Sequence, residues 1–167
     1  MKPIETQLDG VLLFKTEIFE DFRGKYVEIY NADNYNFILP IEFVQDDVSI
    51  SSKHVLRGIH GDGVTWKLVT CLSGKFYLVV VDCRQYLPTF GKWQAFSLSD
   101  SNFHQVLIPP GYGNGHLALS DQVVFHYKQS TYYDRSRQFT YKWDDPKFNI
   151  WWPVANPILS ERDSGVQ

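Results

Sequence analysis

Residues 55–84 have the sequence VLRGIHGDGVTWKLVTCLSGKFYLVVVDCR, and this stretch decides the fold of the chain. It contains two runs rich in β-branched and aromatic residues, WKLVTCL (66–72) and KFYLVVVDC (75–83), which only Ser73-Gly74 separates. Such runs are typical of strands, and a two-residue break of this kind favours a tight turn. We therefore predict that 66–72 and 75–83 form a β-hairpin.

A shorter extended segment, 56–60 (LRGIH), lies just before this pair. Because side chains alternate along a strand, we expect residues 57 and 59 on one face and residues 56, 58 and 60 on the other. In a small barrel one of these faces points inward. His60 and Lys67, on neighbouring strands, are then expected to point into one cavity, where they supply a base near neutral pH and a cation.

The rest of the chain also consists of short apolar and aromatic segments broken by Gly, Pro, Asn and Asp, a pattern typical of an all-β sandwich or barrel. One short helical turn is expected at 31–38, and the aromatic segment 132–163 is expected to wrap the barrel and close one mouth. We predict that 93–98 pairs with 103–108, and 114–119 with 122–130. The further predicted strands are 10–19, 24–30 and 43–51.

Composition narrows the class of protein. The 167 residues are 44% hydrophobic and 16% aromatic, which predicts one domain spanning 1–167. The net charge of -3 argues against nucleic-acid binding. No run approaches about 18 apolar residues, and the first ten residues lack an apolar leader, so we expect no membrane segment and a cytoplasmic protein. Cys71 and Cys83 lie in predicted strands and are expected to be buried free thiols.

A metal site has little support. His60 is followed by Gly61-Asp62, and the next predicted hairpin contains no second His and no Glu. Segment 110–116 (PGYGNGH) resembles the second motif of cupin barrels but supplies one ligand, so His116 is expected only to hydrogen-bond within the barrel wall. Nucleophilic and phosphate-loop chemistries lack their motifs, because neither a Gly-x-Ser-x-Gly elbow nor a P-loop occurs.

General acid–base chemistry remains. It needs a base, a carboxylate to orient the base, an acid on the other side of the substrate, and a cation to stabilise developing negative charge. His60, Asp163, Tyr127 and Lys67 are able to fill these four roles if the fold brings them together. By residue type alone, a strand Tyr also suits core packing and a strand Lys also suits a solvated edge.

Ten ordered blocks between residues 11 and 163 resemble the nucleotide-sugar 3,5-epimerases, typified by dTDP-4-dehydrorhamnose 3,5-epimerase. The blocks are Asp21-x-Arg23-Gly24, Gln45-Asp46-Asp47-x-Ser49, 55–60 (VLRGIH), Lys67-Leu68-Val69-x-Cys71-x-x-Gly74, Val81-Asp82-x-Arg84, Pro88-Thr89-x-Gly91-x-Trp93, Tyr127-Lys128, Trp143-Asp144-Asp145-Pro146, Trp152-Pro153 and Leu159-Ser160-x-Arg162-Asp163.

This resemblance implies a cupin-like jelly-roll barrel with short peripheral helices. It also implies a homodimer that works without metal or organic cofactor on a nucleoside-diphosphate 4-keto-6-deoxy sugar. His60 is then the base, Asp163 its orienting carboxylate, Lys67 the partner of the enolate oxygen and Tyr127 the acid.

The resemblance also implies substrate contacts. Tyr26 and Glu28 are expected to reach the site of a neighbouring subunit. The complete set of implied substrate-binding residues is Arg23, Tyr26, Glu28, Gln45, Asp47, Arg57, Asn114 and His116.

Three departures from the family pattern matter. A shortened loop, Gly61-Asp62-Gly63, follows His60; Asn114 replaces a second active-site His, with His116 in the place of an aromatic residue; and Asp47 replaces a frequent Asn. The first two departures, His60-Gly61-Asp62 and Gly113-Asn114-x-His116, resemble the branch that acts on GDP-linked sugars, including heptoses, for O-antigen or capsule synthesis. The loss of the second His is expected to favour inversion at one carbon.

The leading hypothesis is an epimerase that inverts C3, C5 or both. Two alternatives stay open at this point: a 3,4-ketoisomerase of related barrel fold, and a non-catalytic barrel that binds sugar nucleotides.

Overall fold

The computed structural model describes residues 3–36 and 40–165, and within them it has thirteen strands and two short helices. The strands are β1 (Pro3–Glu5), β2 (Leu12–Phe14), β3 (Ile18–Asp21), β4 (Gly24–Val27), β5 (Gln45–Ser52), β6 (Leu56–Gly61), β7 (Lys67–Ser73), β8 (Lys75–Asp82), β9 (Trp93–Ser99), β10 (Gln105–Ile108), β11 (Tyr112–Ala118), β12 (Gln122–Gln129) and β13 (Phe139–Thr140). The helices are α1 (Ala32–Asn36) and α2 (Glu161–Ser164), with a 3₁₀ turn at Arg135–Arg137. The predicted all-β class is confirmed. Residues 37 and 38 of the expected helical turn lie outside the described residues.

Two antiparallel sheets face each other as in a jelly roll. One has the order β1-β2-β10-β7-β12-β5 and the other β13-β6-β11-β8-β9, while β3 and β4 form a separate hairpin. Side chains from both sheets interdigitate between them, including Val69 and Phe125 from the first sheet and Phe76 and Leu78 from the second. This packing leaves a cavity between the sheets beside Phe125.

The predicted hairpin of 66–72 and 75–83 is wrong. β7 lies in the six-stranded sheet and β8 in the five-stranded sheet, and Ser73-Gly74 carries the chain from one to the other, with Gly74 at φ 78°. The predicted pairs 93–98 with 103–108 and 114–119 with 122–130 are wrong for the same reason. Strands buried on both faces have the same composition whether they pair side by side or face each other across a core.

The strand β6 also departs from simple alternation. Its residues Arg57 and His60 pair with His116 and Asn114 on β11, so three steps on one strand match two on the other. This β-bulge puts Arg57 and His60 in the wall of the same cavity, whereas we expected them on opposite faces. Gly58 lies in the bulge at φ 126°, where an added Cβ would be 2.7 Å from the carbonyl oxygen of Asn114.

The two ends of the chain differ more modestly from expectation. The predicted strand 10–19 is divided into β2 and β3, and the predicted strand 24–30 is the shorter β4. Segment 132–163 adds β13 to the edge of β6 and buries Trp152, whose indole N–H donates to the carbonyl of Trp143 at 2.9 Å.

Cys71 and Cys83 are buried free thiols, as predicted, and burial raises the pKa of each to about 12. Among the described helices, none has the length and apolar character needed to cross a bilayer.

Candidate active site

A cavity of about 620 Å³ lies between the two sheets. The four residues predicted for acid–base chemistry, His60, Asp163, Tyr127 and Lys67, all line it. Among the predicted substrate-binding residues, those that line it are Gln45, Asp47, Arg57, Asn114 and His116. His60 and Lys67 converge as predicted, although they come from facing sheets and not from neighbouring strands.

His60 pairs with the buried carboxylate of Asp163. The Nε2 of His60 lies 2.6 Å from Oδ1 of Asp163, and the Asp163 side chain is only 3% exposed. Burial acts to raise the pKa of Asp163, but the hydrogen bond and charge of His60, with hydrogen bonds from Ser160 and Gly58, lower it below its usual value. An ionised Asp163 accepts the Nε2 proton, and this leaves Nδ1 of His60 as the basic nitrogen.

The first turn of α2 positions this carboxylate. Ser160 caps the helix, its hydroxyl accepting from the backbone N–H of Asp163. The same hydroxyl donates to Oδ2 of Asp163 at 3.0 Å. The spacing Ser160-x-x-Asp163 therefore orients the carboxylate through local helix geometry, while the remote strand β6 supplies its partner.

Lys67 is a buried cation in the opposite sheet. Its side chain is 8% exposed and its Nζ donates to Oδ1 of Asn114 at 3.3 Å. Burial lowers the pKa of Lys67 to about 8; the charge of Asp62 opposes this effect, and that of Arg162 adds to it. A cation with so little solvation interacts strongly with any negative charge that forms near it.

Tyr127 lies on β12 directly opposite Asp47 of β5. Burial raises the pKa of Tyr127 above its ordinary value, and the negative charge of Asp47 raises it further. Oδ2 of Asp47 accepts from the side-chain amides of Gln45 at 2.8 Å and Gln129 at 2.7 Å, which hold the carboxylate in place. Tyr127 is therefore kept as the neutral phenol, the form that donates a proton.

Three guanidinium groups line the same cavity, those of Arg57, Arg135 and Arg162. Arg57 donates to the hydroxyl of Ser51 at 3.1 Å, and Arg162 to that of Thr140 at 2.6 Å. With Lys67 they outnumber the two carboxylates of the lining, although the whole chain carries a net charge of -3. This local excess of positive charge suits an anionic ligand, and guanidinium groups suit a diphosphate in particular.

The other predicted contacts lie elsewhere. Arg23 and Tyr26 are exposed on the β3–β4 hairpin, where Arg23 pairs with Asp21 at 2.6 Å, and Glu28 accepts from Asn34 at 3.1 Å. None of Arg23, Tyr26 and Glu28 lines the cavity of its own chain.

His116 differs from expectation. We expected it to hydrogen-bond within the barrel wall, but its Nε2 is buried and has no hydrogen-bond partner among residues 3–36 and 40–165. Its ring is stacked on Phe125 instead, with centroids 4.0 Å apart. No group of three or more His, Cys, Asp or Glu side chains in those ranges is arranged to hold a metal ion.

The family model for dTDP-4-dehydrorhamnose 3,5-epimerase matches residues 5–167. The chain belongs to this family. It is 40% identical over 172 residues to the dTDP-4-dehydrorhamnose 3,5-epimerase of Shigella flexneri, covering 100% of this chain and 95% of that protein. It is 34% identical to the dTDP-4-dehydrorhamnose 3-epimerase of Streptomyces niveus, covering 93% of this chain and 78% of that one.

A solved structure is similar to this member of the epimerase family in both fold and sequence. The dTDP-6-deoxy-D-glucose-3,5-epimerase of Legionella pneumophila, in complex with dTDP-4-keto-L-rhamnose, superposes with a TM-score of 0.93 at 37% identity, covering 98% of this chain and 90% of that chain. The predicted isomerase class is thereby confirmed, as is the cupin-like barrel. The expected GDP-linked branch receives no support, because the relatives named above all carry dTDP in their names.

The cavity residues that were not predicted as site residues from the sequence include Tyr133, Arg135, Gln138 and Arg162. Arg162 stands beside Asp163 in the last matched block, so its proximity was the available signal. The other three lie in the irregular segment after β12, where no periodic pattern indicates which side chains face inward.

Proposed function

We propose that this epimerase-family protein inverts C3, C5 or both in a nucleoside-diphosphate-linked 4-keto-6-deoxy sugar. The observation that carries the proposal is the 2.6 Å contact between His60 and the buried Asp163, in a cavity that also contains Lys67 and Tyr127. A base held by a buried carboxylate, next to a cation and opposite an acid, suits removal and return of a proton beside a ketone.

The reaction begins with the proton next to the ketone. Nδ1 of His60 takes this proton, and Asp163 stabilises the resulting imidazolium through Nε2. The electron pair moves to the carbonyl oxygen, where the ammonium group of Lys67 stabilises the enolate. Tyr127, on the facing sheet, then returns a proton to the other side of the carbon. Solvent afterwards takes the proton from His60 and restores the one on Tyr127.

Binding of the nucleotide is assigned to the guanidinium groups. Arg57, Arg135 and Arg162 bind the diphosphate, and Gln45 contributes from β5. The exposure of Arg23, Tyr26 and Glu28 away from their own cavity supports a homodimer in which they contact the substrate in a neighbouring subunit.

The names of the relatives support a dTDP-linked sugar as the first substrate to test, with the GDP-linked sugar beside it. Asn114 supports inversion at a single carbon, because an amide beside Lys67 does not take a proton as a second histidine would. A place in deoxysugar synthesis for O-antigen or capsule, in the cytoplasm, completes the proposal.

Proton NMR in D2O tests the proposal with each 4-keto-6-deoxy sugar nucleotide supplied separately. We expect deuterium to enter C3, C5 or both, and inverted product to accumulate. His60→Asn should abolish exchange while the circular dichroism spectrum stays unchanged. Near-normal exchange in that variant would refute the assignment of the base, and a ketone displaced to C3 would identify a ketoisomerase. Binding without exchange would identify a non-catalytic barrel.

A further inference from the structure

His116 occupies a fixed position in the cavity wall. It lies on β11, and its ring stacks on Phe125 of the facing sheet with an angle of 9° between the planes. The ring of Phe76 lies 5.4 Å away at 56°. The imidazole is therefore held between the two sheets by aromatic contacts, which any flat apolar ring would satisfy equally well.

The imidazole of His116 carries a buried nitrogen that is not hydrogen-bonded to any described residue. The residue is 4% exposed, and Nε2 has no hydrogen-bond partner within the described part of the chain. Buried polar atoms are nearly always paired, because an unpaired one destabilises the fold. His116 also lines the cavity, so a buried imidazole without a hydrogen-bond partner in the described residues points to a group on the ligand.

The surroundings of His116 indicate which kind of ligand group it binds. Burial, reinforced by the charges of Arg57 and His60 and opposed by Asp163, lowers the pKa of His116 to about 3, so the ring is neutral at working pH. A neutral imidazole presents one donor and one acceptor nitrogen, which match a hydroxyl group. A phosphate is better served by the guanidinium groups of the same cavity, and an enolate oxygen by Lys67.

We propose that the imidazole of His116 hydrogen-bonds to a hydroxyl group of the substrate's sugar ring and thereby selects for sugars that carry it. This inference rests on the proposed function, because it assumes that a sugar nucleotide occupies the cavity. His116 then acts as a specificity-determining residue and takes no part in proton transfer.

The test compares His116→Phe and His116→Gln with the wild-type protein. Phenylalanine preserves the stack on Phe125 and removes both nitrogens, whereas glutamine keeps a polar group near the position of Nε2. His126→Phe is the matched control. His126 is also buried, and its Nδ1 has no hydrogen-bond partner in the described residues, but it does not line the cavity.

Calorimetry measures the affinity for the nucleoside diphosphate alone, for the complete sugar nucleotide, and for analogues that each lack one ring hydroxyl. We expect His116→Phe to weaken binding of the complete sugar nucleotide by roughly tenfold, which corresponds to about 1.4 kcal/mol. The affinity for the nucleoside diphosphate should stay unchanged. The analogue that lacks the contacted hydroxyl should bind the wild-type protein about tenfold more weakly than the complete sugar nucleotide does. His116→Phe should bind this analogue and the complete sugar nucleotide with equal affinity.

A second readout is the melting temperature of the ligand-free protein. His116→Phe should melt at the same temperature as the wild type or higher, because an unpaired polar ring is replaced by an apolar one. His116→Gln should recover part of the lost affinity, and His126→Phe should bind the sugar nucleotide normally.

Equal affinity of wild type and His116→Phe for every analogue would overturn the inference. If His116→Phe does not fold, the same analogue series applied to His116→Gln decides the question, since an unaltered preference would equally overturn it. Failure of the proposed function is seen separately, as absence of exchange and of sugar-nucleotide binding in the wild-type protein.

Discussion

Replacing Lys67 by Met should make the ligand-free protein more stable while it abolishes exchange. Lys67 is 8% exposed, and burial lowers its pKa from 10.5 to about 8. At about 1.4 kcal/mol for each pKa unit, keeping this side chain charged in the folded state costs about 3 kcal/mol. Methionine removes the charge, although it leaves Asn114 without the donor at 3.3 Å, so we expect a net gain of about 1–3 kcal/mol at pH 7.

The stability difference between the wild-type protein and Lys67→Met should also depend on pH. Between about pH 8 and 10.5 the unfolded chain holds the Lys67 proton and the folded chain does not, so the stability of the wild-type protein rises with pH relative to the variant. Urea denaturation at pH 7, 8, 9 and 10 should therefore show a gap that narrows as the pH rises. Exchange by the wild-type protein should fall through about pH 8 as the ammonium group is lost.

Lys67→Arg is the matched control, because arginine stays charged over the whole range. The stability difference between Lys67→Arg and Lys67→Met should not narrow as the pH rises. Exchange by Lys67→Arg should not fall near pH 8 through loss of this charge. A Lys67→Met variant that is less stable than wild type at pH 7, or whose gap is the same at pH 7 and pH 10, would refute the reasoning.

Three further predictions concern the groups around the cavity. Asp163→Asn should slow exchange about 10- to 100-fold, because a hydrogen bond to a charged group contributes about 1.5–3 kcal/mol. An exchange rate within threefold of wild type would contradict the role of Asp163 in supporting His60. Asp47→Asn should lower the pKa of Tyr127 by removing a negative charge; ultraviolet titration of the phenolate, with Tyr127→Phe as the blank, should then show ionisation at lower pH, and an unchanged titration would argue against the coupling. Gly58→Ala should destabilise the fold by roughly 3 kcal/mol in urea, because the residue has a φ of 126° and an added methyl group collides with the neighbouring strand; a loss below about 1 kcal/mol would show that the bulge relaxes.

Local sequence patterns predicted the strands far better than their partners. The runs around β7 and β8 were recognised from β-branched and aromatic residues, but the same runs suit a hairpin and two facing sheets equally well. The choice depends on contacts with strands such as β10 and β11, which lie far away in the chain. The inference that His60 and Lys67 share a cavity was right because both geometries bring them together.

The candidate site was predictable where a residue type carries one chemical role. His60 and Asp163 were paired across 103 residues by their match to a family pattern, and the structure brings them to 2.6 Å. The shared orientation of Arg57 and His60 was not predictable, because a bulge of one residue reverses the expected face. Arg135 lies in an irregular segment, where the sequence has no period that indicates direction.

The passage of successive strands between opposite sheets has a consequence for the kinetics of folding. β2 pairs with β10 and β5 with β12, so most of the ladder joins segments separated by many tens of residues. Large loops must close before these contacts form, and topologies of this kind typically fold in milliseconds to seconds. The contact between β6 and α2 also joins segments that are far apart in the chain. Refolding followed by a probe at His60 should therefore lag behind hydrophobic collapse.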